Sequence, residues 1–176
     1  MSGAGFVHLH VHSAYSLLEG AMTIARLCEL AKADAQPALA ITDSDNMFGA
    51  LEFSEKLADA GIQPIIGCAL AVDFADQEAG SRSALPSTPS RIVLLASREA
   101  GYRNLMRLNS RAFRETPVDQ HPHIKFDWLA QDCEGLIALT GGPSGPISMA
   151  LAAEQSALAR TRLERLAHIF GDRLYV

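Results

Sequence analysis

Along this chain short apolar runs alternate with stretches of helical periodicity. In residues 6–12 apolar and histidine positions alternate, as in an extended segment, so Val7, Leu9 and Val11 should face one way and His8, His10 and His12 the other. Thr23 then caps a helix whose apolar positions Ile24, Leu27, Leu30 and Ala31 recur at helical spacing, and Gln36-Pro37 stops it. Ala38-Leu39-Ala40-Ile41-Thr42 is an apolar run ending in a polar cluster, as buried parallel strands do. Asp43-Ser44-Asp45-Asn46 opens the next helix, with Ala50, Phe53, Leu57 and Ala60 as its buried stripe. Gly61 suits the left-handed position after that helix, and residues 62–74 form a strand with Pro64 near its start, where a missing N–H is tolerated.

Residues 76–90 are rich in Ser, Pro, Gly and Ala without any period and read as an exposed loop inside the domain. Arg91-Ile92-Val93-Leu94-Leu95-Ala96 is a fourth strand, and residues 99–113 a helix with Tyr102, Leu105, Met106, Asn109 and Phe113 on one side. Arg103, Arg107, Arg111 and Arg114 line another side and read as a solvated face. His121-Pro122-His123, in an irregular stretch, read as exposed loop histidines. Residues 135–140 are a fifth strand, and Ala159, Leu163, Leu166 and Phe170 mark a closing helix before Leu174-Tyr175-Val176 begins a sixth strand. Strands alternating with helices predict parallel β/α units in one α/β domain, as a barrel or a doubly wound sheet. An α/β domain seldom stops where an unpaired edge is laid down, so residues 1–176 are expected to be the front of a longer protein.

Composition narrows the function. The chain has 176 residues, enough for one buried core, and a net charge of −5, which excludes a module that lives by gripping phosphate backbones. Cys28, Cys68 and Cys133 are odd in number, scattered and in apolar contexts, as reduced thiols in the cytoplasm are. No signal peptide or membrane-length apolar run is present, so a cytoplasmic protein without a membrane partner is expected.

The candidate chemistry is metal chemistry. His10-Val11-His12 places two imidazoles on one side of an extended segment, and Glu19 follows seven residues later. Neutral imidazoles and a carboxylate are donors that Zn, Mn or Fe prefer, so these three residues are half of a hydrolytic metal site.

Four blocks of sequence resemble the polymerase and histidinol phosphatase (PHP) domain that opens bacterial DNA polymerase III alpha subunits. They are residues 6–13 with Tyr15-Ser16-Leu17-Leu18-Glu19-Gly20; residues 37–43 running to Asn46-Met47-Phe48-Gly49-Ala50; residues 61–68; and Leu94-Leu95-Ala96 with Gly101-Tyr102-Arg103-Asn104-Leu105. A weaker fifth block covers residues 134–141. The resemblance implies an irregular parallel β/α barrel of the PHP type, here lacking its last strand. It also implies a parent chain that is a DNA-directed DNA polymerase, with its own Mg-binding carboxylates downstream.

Metal-bearing members of the family hold a Zn, Mn or Fe cluster that activates water against a phosphoester. On that pattern His10, His12 and Glu19 match the first ligands, while Ser44, Ala69, Arg91 and Gly142 stand where ligands are expected. The resemblance therefore implies a degenerate site with no metal bound and a scaffold role. The implied partners are the rest of the polymerase chain, the proofreading exonuclease subunit and, through the parent polymerase, DNA. Asp43 is then left to cap the following helix or to pair with Arg91. The rival reading is a metal-dependent phosphoesterase or 3′–5′ exonuclease using His10, His12, Glu19 and Asp43, with His121 or His123 as further ligands.

Overall fold

A computed structural model describes residues 5–76 and 90–176 of the chain. The 76–90 loop expected from sequence lies, apart from its two end residues, outside the described residues. Helix α1 (Ile24–Ala33) starts where Thr23 Oγ1 accepts from Arg26 N–H, and β1 (Ala38–Ile41) follows. Helix α2 (Ala50–Asp59) buries Ala50, Phe53 and Leu57, and Gly61, at φ +74°, turns the chain into β2 (Gln63–Asp73). Next come β3 (Arg91–Ala96), α3 (Glu99–Glu115), β4 (Ile124–Lys125), α4 (Phe126–Gln131) and β5 (Leu136–Leu139). The last elements are α5 (Pro146–Ala152), α6 (Ser156–Phe170) and β6 (Leu174–Tyr175).

The strands form one sheet in the order β1-β2-β3-β5-β6, with β4 beside the end of β2. This is the expected α/β layering, with one change of direction. β1 with β2, β2 with β4 and β5 with β6 are parallel, but β3 runs antiparallel to both β2 and β5. A parallel return needs a long crossover, usually a helix, and the sequence between β2 and β3 has no helical period.

Side chains along β2 alternate between two cores. Cys68, Leu70 and Val72 join the main core with Leu94, Leu105, Leu108, Leu136, Leu166 and Phe170. On the other face Ala69 meets Ala40, Val93 and Leu95 in a small cluster. A third cluster seals α1 and α2 against β1 through Leu27, Ile41, Phe53 and Leu57.

Three further expectations are corrected. Residues 6–12 lie parallel to β1, with Ala40 N–H donating to His8 O and Thr42 N–H to Val11 O, but form no regular ladder. Three steps of the segment match two of β1, and that extra residue breaks the alternation. His8 therefore leaves the other two histidines and faces a pocket walled by Val11, Leu27 and Leu39. On α1, Leu30 is on the exposed side. On α3 the buried residues are Gly101, Leu105, Leu108 and Ala112, so Met106 and Phe113 are left outside.

Candidate functional site

The chain between His12 and Gly20 folds back in a tight double turn. Ser16 N–H donates to Ser13 O at 2.9 Å, Glu19 N–H and Gly20 N–H both reach Ser16 O, and Ala14 N–H closes on Met22 O at 2.8 Å. Gly20 passes so close to the Ser13 carbonyl that a Cβ would collide with it. This turn brings Glu19 back beside His12, with Glu19 Oε2 4.0 Å from His12 Nδ1.

A small cleft of about 40 Å³ lies over the Ala69 and Val93 face of the sheet. Its walls include His10, His12, Glu19, Ser44 and Arg91, closed by Gly141 and Ser144. Gly141, at φ +85°, packs against the Arg91 carbonyl where a Cβ would collide, which sets the turn after β5 across the start of β3. The imidazoles of His10 and His12 stand edge to face at 5.0 Å between centroids. Desolvation, with neighbouring His12, lowers the pKa of His10 below its ordinary value, and Glu19 opposes them.

Arg91 crosses the rim of this cleft. Its Nε and Nη2 donate to Asp45 Oδ2 at 3.1 and 2.9 Å, and its Nη1 reaches Glu19 Oε1 at 3.4 Å. Glu19's other oxygen accepts from Ser44 Oγ at 2.5 Å. His121 is exposed, as expected, yet its Nε2 sits 3.0 Å from Asp45 Oδ2 and 3.2 Å from Arg91 Nη2. His123 turns its Nδ1 to the His121 carbonyl instead. Asp45 is left-handed at φ +55°, a conformation Asp tolerates better than most residues, and this aims its carboxylate back at Arg91.

Asp43 takes neither of its two expected roles. Helix α2 begins seven residues later, at Ala50, and the Arg91 partner is Asp45. The Asp43 carboxylate is 2% exposed and accepts three hydrogen bonds, from Ser13 N–H (2.6 Å), Ser13 Oγ (2.7 Å) and Ser16 Oγ (2.5 Å). Ser16 Oγ also lies 3.1 Å from His12 Nδ1, so a chain of polar contacts runs from Asp43 through Ser16 to His12. That network bolts the opening segment to the end of β1.

Of the residues singled out by sequence, His10, His12, Glu19, Ser44, Ala69 and Arg91 do meet in one cleft. Gly142 sits just outside it, where an added Cβ would find open space. Asp45, Ser13 and Ser16 were not singled out by sequence, whereas His121, offered there as a further ligand, lies at the cleft rim against Asp45 and Arg91. Among the described residues no three His, Cys, Asp or Glu side chains converge closely enough to hold one metal ion.

Residues 8–176 match the model of the PHP domain, and the chain belongs to the PHP domain family. Its curated relatives are DNA polymerase III alpha subunits: the protein from Caulobacter vibrioides is 43% identical over 99% of this chain, and that from Treponema pallidum 40% identical over 97%. The chain spans only 15% and 14% of the length of those two relatives. Among solved structures, an amidohydrolase from Chromobacterium violaceum aligns over 90% of this chain and 54% of its own, at 18% identity and a TM-score of 0.42. No helix among the described residues is long and apolar enough to cross a membrane.

Proposed function

We propose that this chain is the PHP domain of a cytoplasmic replicative DNA polymerase III alpha subunit and serves there as a scaffold, its ancestral metal site replaced by an arginine-centred ion cluster. The observation that carries this reading is Arg91, whose guanidinium binds Asp45 and Glu19 at the cleft rim. A guanidinium cannot be deprotonated in a protein, so it supplies a permanent positive charge where a divalent ion would have to sit, and repels one.

The donor set does not fit a Zn, Mn or Fe cluster. Glu19 is already engaged on both oxygens, by Ser44 and Arg91, and Asp43 is buried under three hydrogen bonds away from the cleft. Of the candidate ligands His121 is held against Asp45 and Arg91 and His123 turns to the His121 carbonyl, which leaves His10 and His12, and two ligands do not fix an ion for hydrolysis. The phosphoesterase or exonuclease alternative, which counts Glu19 and Asp43 among its ligands, is disfavoured by these contacts.

In this reading nucleotidyl transfer, with its Mg ions and contacts to DNA, belongs to the remainder of the polymerase chain. The domain carries the proofreading exonuclease subunit. Sedimentation of the chain mixed with that subunit from the same cell tests the role, with a stable complex expected. Separate sedimentation, or hydrolysis of 3′-terminal phosphodiesters that His12→Ala abolishes, would overturn it.

A further inference from the structure

Helix α3 is apolar on two faces, and only one of them is used by the core. Leu105, Leu108 and Ala112 are inside, whereas Met106 and Phe113 are 41% and 56% exposed. They face the turn before α2, where Phe48 is 77% exposed. Between these walls runs a groove of about 390 Å³, lined also by Asn46, Met47, Asn109, Ser110 and Asp45, whose carboxylate is held by Arg91. From Met106 to Phe113 it follows roughly two turns of α3, about 10 Å, a length that suits apolar anchors at i, i+3 or i+4, and i+7 of a second helix.

We propose that this groove docks an amphipathic helix of a partner protein whose flank is acidic. Charge decides the flank. Over Glu99–Glu115 there are four arginines and two glutamates, a net +2 within a chain of net −5. At 100° per residue Arg103 and Arg114 fall on the solvent side of the line from Met106 to Phe113, where they would meet the outer edge of a helix laid in the groove. The Arg103 partner, Glu99, is an exposed surface pair that competes weakly, and Arg114 makes no ion pair among the described residues. A second copy of this chain would bring the same positive flank against itself, which disfavours self-pairing.

The proposal rests on the docking role above and fails separately from it. An exonuclease complex that survives Phe113→Glu leaves the role standing and removes the groove from it. The direct probe is a synthetic amphipathic peptide helix of about four turns, with Leu anchors and a glutamate flank, compared by fluorescence anisotropy with the same helix carrying a lysine flank. The glutamate form should bind at least tenfold more tightly, Phe113→Glu and Phe48→Ser should each abolish binding, and Arg103→Glu with Arg114→Glu should reverse the preference. Both side chains are exposed, so circular dichroism of the variants should match the wild type. Equal binding of the two peptides, no binding of either, or binding unchanged by Phe113→Glu would overturn the proposal. So would a dimer in sedimentation that Phe113→Glu dissociates, since that assigns the groove to a second copy.

Discussion

Arg91 is the residue on which the cleft depends. Its side chain is 17% exposed and its main partner, Asp45, 10%, so the pair is screened far less than a surface ion pair. Arg91→Met keeps the aliphatic stem but leaves Asp45 without its guanidinium partner. It should cost about 3 kcal/mol in urea unfolding, and a loss under about 0.5 kcal/mol would mean that the cluster is incidental. Gln36 presents the opposite case. Its Oε1 is buried and is the one such side-chain atom among the described residues without a hydrogen-bond partner. Gln36→Leu should therefore stabilise the fold by about 1 kcal/mol, seen as a higher midpoint of thermal unfolding. A lower midpoint would show that the amide has a partner in solution.

At the scale of elements, α6 is tied to the end of β2 by Arg162, whose Nε and Nη2 clasp Asp76 at 2.8 and 2.7 Å while its Nη1 reaches Pro146 O. The hydrogen bond from Arg162 lowers the Asp76 pKa below its ordinary 3.8, with burial opposing. A carboxyl lowered on folding adds stability that is fully present above its unfolded value and disappears as the pH falls through the lower, folded one. Arg162→Met should thus destabilise the chain by about 3 kcal/mol at neutral pH and flatten the acid limb of its stability profile below about pH 4. An unchanged acid limb would detach Asp76 from the effect.

Local elements were legible because their signals are local. The Thr23 cap, the Ala50, Phe53 and Leu57 stripe and the Gly61 turn lie within one or two helical turns of what they specify. Which face of α3 is inner is not legible from sequence, because Met106 and Phe113 offer an apolar line as good as Leu108 and Ala112, and only tertiary packing chooses between them. Alternation in residues 6–12 failed at one extra residue, which no period reveals.

At the scale of the whole molecule, His10, His12 and Glu19 were legible as one site from their spacing and donor chemistry, whereas Ser44 and Arg91 joined them only through the resemblance to PHP domains. Its wiring was hidden. The Arg91 to Asp45 contact spans 46 residues and the His121 to Asp45 contact 76, and pairings at that distance are set by the sheet order. The reversed β3 is what lays Arg91, the first residue of that strand, beside the Asp45 turn at the far end of β1. Under the proposed function, a fixed guanidinium would take over the structural charge of a metal cluster in a domain that scaffolds the longer polymerase chain.

The most direct test is the metal content of the chain, purified without a metal-affinity tag and read by elemental mass spectrometry. Folded protein with far less than one Zn, Mn or Fe per chain is expected, before and after incubation with those ions. One or more ions per chain, lost in His12→Ala, would contradict it.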